Sequence, residues 1–383
     1  MMHTLEDDHS GTVHETDIVV IGAGQAGLVA ARELQRRGIS GYAPTSVPAD
    51  EDDHLSFVVL DAEEGPGGAW RHRWHGLTMA TVNMIADLPG MASPPQTGNE
   101  RSHDFIPTYF GDYEDEFDLP IMRPVKVHKV EDEGDGFLLT TSVGQFRARA
   151  LLNCTGTWEA PFIPWYPGQE TFRGAHVHTH DYKDPDQFWR KRTLVVGGGI
   201  SALDHLDEIS TVTKHTYWAT RTPPRWKSLR EFSEGNSDGG LGVKAGRAVE
   251  ERVRARTEAG LRPLPVVAET GLPRNEKVLS MEKRGLLDRR PMFDQLDANG
   301  AWWGDEHVEL DAIIWATGFR ANLKHLVPLK LHSGKGGILM RGTQVANRPN
   351  LHLLGYGASA STVGARRDSR AAVREIVQAL TTV

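Results

Sequence analysis

The chain has 383 residues, with 43 basic and 51 acidic side chains for a formal charge of −8. That length suits two domains and cores that need no disulfide or metal staple, and the single cysteine, Cys154, excludes a disulfide framework, a cysteine-rich zinc site and an intramolecular dithiol centre. The longest apolar run is five residues, 312–316, which excludes a transmembrane helix. The start is acidic: residues 1–64 hold 13 acidic and 3 basic side chains (−10), leaving +2 for the rest. Met1 to Thr16 lacks the apolar core of a signal peptide, so a cytoplasmic protein is the expectation. An acidic chain is a poor binder of nucleic acid, and no such partner is expected.

The first ordered pattern is a strand, Asp17 to Ile21, followed at once by Gly22-Ala23-Gly24-Gln25-Ala26-Gly27 and a helix that ends near Gly38. Residues 41–56 read as an acidic loop, Phe57 to Leu60 as a second strand, and Asp61 closes it. This is the G-x-G-x-x-G dinucleotide fingerprint in its proper context. Gly22 permits the tight turn, Gly24 lets a pyrophosphate approach the backbone, and Gly27 lets helix pack on strand. The helix start offers free N–H groups to phosphates, and Asp61 stands where a ribose-binding carboxylate belongs.

Further along come a strand (122–130), a hairpin (136–148), a strand at 150–154 and a proline-rich linker, 161–167. Arg192 then opens a second strand–turn–helix–strand unit. Its turn is Gly197-x-Gly199-Ile200-Ser201-Ala202, and its second strand, 216–220, ends at Arg221 rather than at a carboxylate. An arginine there suits a 2′-phosphate, hence NADPH over NADH. A helix at 243–259, a strand at 308–317, a strand at 351–354 with the turn Gly355-Tyr356-Gly357, and a closing helix (363–380) complete the reading. Two fingerprints in one chain imply two dinucleotides, FAD and a nicotinamide nucleotide. Without a cysteine pair beside the flavin, oxygen is the expected electron acceptor.

At these residues the chain resembles the flavin-containing monooxygenases, with their Baeyer–Villiger and small bacterial relatives, over residues 15–380. The resemblance is carried by Gly67-Gly68-Ala69-Trp70, by Cys154-Thr155-Gly156-Thr157-Trp158, by Phe172-x-Gly174-x-x-x-His178-x-x-x-Tyr182-Lys183, and by residues 311–319, D-A-I-I-W-A-T-G-F. It implies an α/β, glutathione-reductase-like fold of two Rossmann-like domains. The FAD domain would be residues 1–163 and 317–383, and the NAD(P)H domain residues 164–316. It implies FAD and NADPH as cofactors, O₂ and a small molecule as substrates, and a homodimer as a common assembly. NADPH would reduce the flavin, and a C4a-peroxyflavin would pass one oxygen atom to sulfur or nitrogen, or to a ketone in a Baeyer–Villiger reaction.

The same resemblance places Gly68, Ala69 and Trp70 in the flavin pocket. Thr155 and Gly156, with Ala316, Thr317 and Gly318, become hinges, and His178 falls on a linking segment. Gly357 and the helix start near Thr362 would lie by the isoalloxazine. The asparagine such enzymes keep near the flavin has Asn83 as its only counterpart in 77–87, and Arg366 and Arg367 are read as surface residues. Residues 75–115 and 227–300 would shape the substrate. Two other readings stay open: an NAD(P)H oxidase or flavin reductase, and a nucleotide-sensing regulatory flavoprotein. His176, His178 and His180 alternate as if on one face of a strand.

Overall fold

A computed structural model describes residues 13–42, 55–82, 85–233, 243–264, 270–360 and 362–382. Asn83, the acidic tail before Val13 and most of the 41–56 loop lie outside the described residues.

Two sheets organise the chain, a larger mixed one with a parallel centre and a smaller one that is all parallel. In the larger, Val13–Ile21 runs between Gly144–Asn153 and Ser56–Leu60, parallel to both. Arg348–Leu353 adds to the far side of Gly144–Asn153. Both faces are covered, so the strands are continuous apolar runs. Ile18 and Val20 pack with the helices Gln25–Gln35 and Thr362–Thr381, while Val19 and Ile21 pack on the opposite face. The second sheet has five strands, all parallel, in the order Arg289–Arg290, His215–Ala219, Arg192–Val196, Ala312–Trp315, Ala175–His178. Helix Ile200–Ile209 covers one of its faces.

Some elements differ from the sequence reading. The expected hairpin arm and the strand at 150–154 are one ten-residue strand, Gly144–Asn153. The stretch 122–130 splits into Ile121–Met122 and Val127–Asp132, with Pro124 lacking a ladder donor between them. The stretch 308–317 also splits. Glu306–Glu309 belongs to a small antiparallel sheet and Ala312–Trp315 to the parallel one. Asp311 makes the corner, its carboxylate taking the Arg192 backbone N–H at 2.8 Å and the guanidinium at 2.7 and 2.9 Å.

Four histidines are buried in these cores, His178, His205, His325 and His352, none more than 5% exposed. Burial pushes His205 down to about 3 and His325 and His352 down to about 4, and lowers His178 as well. They are neutral in the fold and protonate when unfolded. Their contribution is therefore complete above the unfolded value near 6.5 and is lost as the pH falls through it. Each costs about 1.4 kcal/mol per pH unit within that window. Denaturant titrations at pH 7.5 and 5.5 will show the midpoint falling, and His205→Gln will reduce the fall by about one histidine's worth. A midpoint that stays flat across that range contradicts neutral burial.

Candidate functional site

Each sheet presents a glycine turn at the end of a central strand. Gly22 has φ +98° and a Cβ there would lie 2.9 Å from the Cys154 carbonyl oxygen. A Cβ on Gly27 would lie 1.9 Å from the Gly22 oxygen, so helix and turn meet only because this residue has no side chain. Gly24 is different: nothing lies within 4 Å of the place its Cβ would take. It is the N-cap of Gln25–Gln35, with no capping side chain and no acid in the first turn. The helix start at Gln25 and Ala26 is thus bare, as an anion requires. Gln25 turns its own side-chain amide away, to the Ala86 oxygen at 3.1 Å.

The second turn repeats this. Gly197 has φ +151° and abuts the Ala316 oxygen, which a Cβ would approach to 2.2 Å. Gly199 caps Ile200–Ile209 with no side-chain bond and no acid in the first turn, which holds Ile200, Ser201 and the fully buried Ala202. Arg221 follows the strand His215–Ala219, is exposed, and has no hydrogen bond or ion pair with any described residue. Arg289, on the neighbouring strand, donates to the Thr220 carbonyl at 3.0 Å and steadies that strand end.

Asp61 is buried at the end of Ser56–Leu60. One oxygen accepts the Ala23 N–H at 3.3 Å and the other accepts Arg123 Nε at 2.7 Å. Arg123 also pairs with Glu114 at 2.7 Å, and burial raises the Glu114 carboxyl above its usual range. Neither partner was expected from sequence. Glu114 stands on the helix Ser102–Glu116, which was also missed although Ile106, Tyr109, Phe110 and Tyr113 form its buried stripe. That helix supports the next loop: a Cβ on Gly67 would meet Pro107 at 2.6 Å. Gly68, with φ +49°, places its own hypothetical Cβ 3.2 Å from Gly24 Cα. The turn Gly68–His72, with Ala69 and Trp70, therefore sits directly on the first glycine turn.

The two chain crossings between the sheets run side by side. Thr155 Oγ1 donates to the Asn322 oxygen at 2.7 Å, and Asn322 N donates to the Gly156 oxygen at 2.9 Å. Phe162 N donates to the Gly318 oxygen at 3.0 Å, and the Thr317 hydroxyl donates to the Phe162 carbonyl. Gly156 and Gly318 have φ +60° and +77°. Gly355 reaches the same place, its Cβ position 3.6 Å from Gly156 Cα, and Gly357 rests on Thr257 of the helix Val243–Glu258.

The F-x-G-x-x-x-H-x-x-x-Y segment proves to be packing machinery. His178 ends a strand of the second sheet rather than lying on a linker. Its Nδ1 accepts the His180 backbone N–H at 3.0 Å and its Nε2 donates to the Gly318 oxygen at 3.0 Å, which uses both ring nitrogens in the neutral state. Gly174 leaves room for the Phe172 ring and the Asp311 oxygen. Tyr182 donates to Glu208 at 2.7 Å, and Trp74 donates to the other oxygen of that carboxylate at 2.9 Å. Lys183 Nζ donates to the His72 oxygen at 3.0 Å. Tyr182 and Lys183 thereby tie segment 72–75 to the second sheet. The alternating histidines diverge: His176 accepts from Trp315 Nε1 and His180 pairs with Asp181. Among the described residues no group of three His, Cys, Asp or Glu could hold a metal ion. Cys154 is buried beneath the first turn, and burial pushes its thiol up. Arg367 is a surface residue paired with Glu250 and Asp368. No helix among the described residues is long and apolar enough to cross a membrane.

Two glycine turns at the ends of parallel strands, one in each sheet, joined by paired crossings, define a protein with two dinucleotide-binding folds. The family model described as pyridine nucleotide-disulphide oxidoreductase matches residues 73–234. A flavin-containing monooxygenase from Stenotrophomonas maltophilia is 32% identical with a TM-score of 0.76, and the match covers 96% of this chain and 100% of that one. The chain belongs to the flavin-containing monooxygenase family, flavin-dependent oxidoreductases that use FAD and NADPH. Cyclohexanone monooxygenase from Rhodococcus, 17% identical over 96% of this chain and 85% of its own, shares the fold with a TM-score of 0.64. An uncharacterized CzcO-like oxidoreductase of Geobacillus kaustophilus is 30% identical over 51% of this chain and 52% of its own length. The chain spans about half the length of that relative and of two CzcO oxidoreductases from Bacillus, 52 to 55%.

Proposed function

We propose that the chain is an NADPH-driven monooxygenase that transfers one oxygen atom from O₂ to sulfur or nitrogen of a small molecule. NADPH, O₂ and a proton would be consumed for each NADP⁺, water and oxygenated product formed. The observation that carries this reading is the full-length likeness to the Stenotrophomonas maltophilia enzyme, supported by a fold with two glycine turns whose helix starts have no capping side chain. The open space over Gly24 and the uncapped helix start fit an FAD pyrophosphate. In this reading Gly22, Gly24, Gln25, Ala26 and Gly27 hold it, Asp61 holds the ribose, and Gly68, Ala69 and Trp70 line the flavin side. Gly197, Gly199, Ile200, Ser201 and Ala202 hold the NADPH pyrophosphate, and Arg221 its 2′-phosphate. Thr155, Gly156, Thr317, Gly318 and Gly357 flank the crossing. The FAD half is residues 1–163 and 317–383, and the NADPH half residues 164–316. When bound, FAD supplies the oxygen-activating redox chemistry. The protein's part is to seat both nucleotides and exclude water between them.

The test is to reduce the FAD-loaded chain anaerobically with NADPH and mix it with oxygenated buffer plus a thioether such as thioanisole. Sulfoxide formed in step with NADPH consumed supports the proposal. Prompt reoxidation with stoichiometric peroxide makes the chain an oxidase, and failure of NADPH to reduce the flavin leaves a nucleotide-binding regulator. Ketone oxygenation without sulfoxidation would move the reaction to the Baeyer–Villiger class.

A further inference from the structure

Arg73 is held between two indoles, its guanidinium carbon 5.1 Å from the Trp70 ring centroid and 4.4 Å from that of Trp158. Trp158 stacks in turn on Phe319, with ring centroids 5.0 Å apart, and lies 5.0 Å from His180. Four segments therefore meet around the Trp158 ring that covers this guanidinium. They are the Gly68–His72 turn, the two crossings just past Gly156 and Gly318, and the end of the Ala175–His178 strand. Trp74 and Lys183, through Glu208 and the His72 oxygen, fix that segment against the second sheet.

Arg73 is partly buried and has no ion pair among the described residues, and its Nε is buried without a hydrogen-bond partner. Glu63, earlier in the same segment, is taken by His72 at 2.9 Å and by Arg71 at 3.8 Å. Burial has pushed the Arg73 guanidinium down to about 10, well below an arginine's ordinary range. A desolvated cation without a counter-ion is costly, and cation–π contact offsets only part of that cost. An anion would supply the partner that the described residues do not give this guanidinium.

The phosphates of two dinucleotides have seats elsewhere, at the helix starts after Gly24 and Gly199 and at Arg221. Arg73 lies in neither turn. The geometry points to Arg73 as the recognition point for a carboxylate on the small-molecule substrate, whose apolar body packs on Phe319. The guanidinium fork matches a carboxylate with two parallel donors, and the half-buried Phe319 face accepts an aromatic or aliphatic group. This inference deepens the proposed monooxygenase reading, because it assumes that the substrate enters where the two halves meet.

The test uses the full chain loaded with FAD, titrated with benzoate, with benzyl alcohol as the neutral analogue, and with inorganic phosphate. Flavin absorbance and tryptophan fluorescence report binding. Benzoate is expected to saturate, benzyl alcohol and phosphate to bind more weakly. Arg73→Gln is expected to weaken benzoate by at least about tenfold, as for loss of a charge-assisted pair. Its affinities for FAD and NADP⁺ are expected to stay unchanged. Equal benzoate affinity in Arg73→Gln and the unaltered chain overturns the proposal. Weaker FAD in that variant would assign Arg73 to the flavin nucleotide, and weaker NADP⁺ to the nicotinamide nucleotide; either overturns it too. If Arg73→Gln does not fold, the benzoate against benzyl alcohol comparison on the unaltered chain decides, and no preference for the anion refutes the proposal. None of these readouts needs oxygen transfer. A chain that only releases peroxide would fail the functional reading and leave this test intact.

Discussion

Gly24→Val yields a folded protein that purifies without flavin. The substitution is clean because Gly24 has an ordinary φ of −75° and no atom within 4 Å of its Cβ position. A valine's Cβ there meets nothing in the protein, and its methyls grow into the space a pyrophosphate would take. The expected loss is at least about 3 kcal/mol of FAD affinity, roughly a hundredfold or more in Kd, since overpacking alone costs about 1–3 kcal/mol and the backbone contacts are lost as well. Fluorescence titration with FAD measures the affinity, and far-UV circular dichroism checks the fold. Flavin retained at ordinary affinity would remove the first glycine turn from the FAD site. Gly27 cannot serve in its place, because a Cβ 1.9 Å from the Gly22 oxygen would damage the fold itself.

Arg221→Ala raises the KM for NADPH about ten- to a hundredfold and leaves that for NADH nearly unchanged, as expected when a charge-assisted contact of about 1.5–3 kcal/mol is lost. The side chain is exposed and has no hydrogen bond or ion pair with any described residue, so its loss leaves the fold alone. The strand end that carries it is held independently by Arg289 on the Thr220 carbonyl. An exposed contact of this kind is screened by salt. The NADPH preference of the unaltered chain therefore shrinks as ionic strength rises, and that of Arg221→Ala does not. Steady-state kinetics with both nucleotides at low and high salt measures this. Equal effects on NADPH and NADH would reject the 2′-phosphate assignment.

What could be read along the chain was whatever depends on neighbours in sequence. The two strand–turn–helix units announce themselves because Gly22, Gly27 and Gly197 meet backbone a few residues away, or on the adjacent strand, where no side chain fits. The apolar runs 18–21 and 194–196 are legible because both faces of the parallel strands are buried. The helix at 102–116 carried a legible stripe, but Pro107 within it and the turn-like residues before it obscured the period. The stretch 308–317 was read as one strand because nothing local marks Asp311 as a corner. Its partner, Arg192, is 119 residues away.

The chemistry of the candidate site divides along the same line. Sequence placed Asp61 after its strand and Arg221 after its own, since strand ends are local facts. That Asp61 shares its carboxylate with Arg123, that His178 spends both nitrogens on backbone, and that Arg73 lies between Trp70 and Trp158 with no ion pair among the described residues are results of folding alone. Each of these joins residues from separate segments, and no period or spacing encodes a contact across a sheet or between two halves. The arithmetic of charge met the same limit. A net −8 describes the chain, but only packing decides which cation is left without an anion.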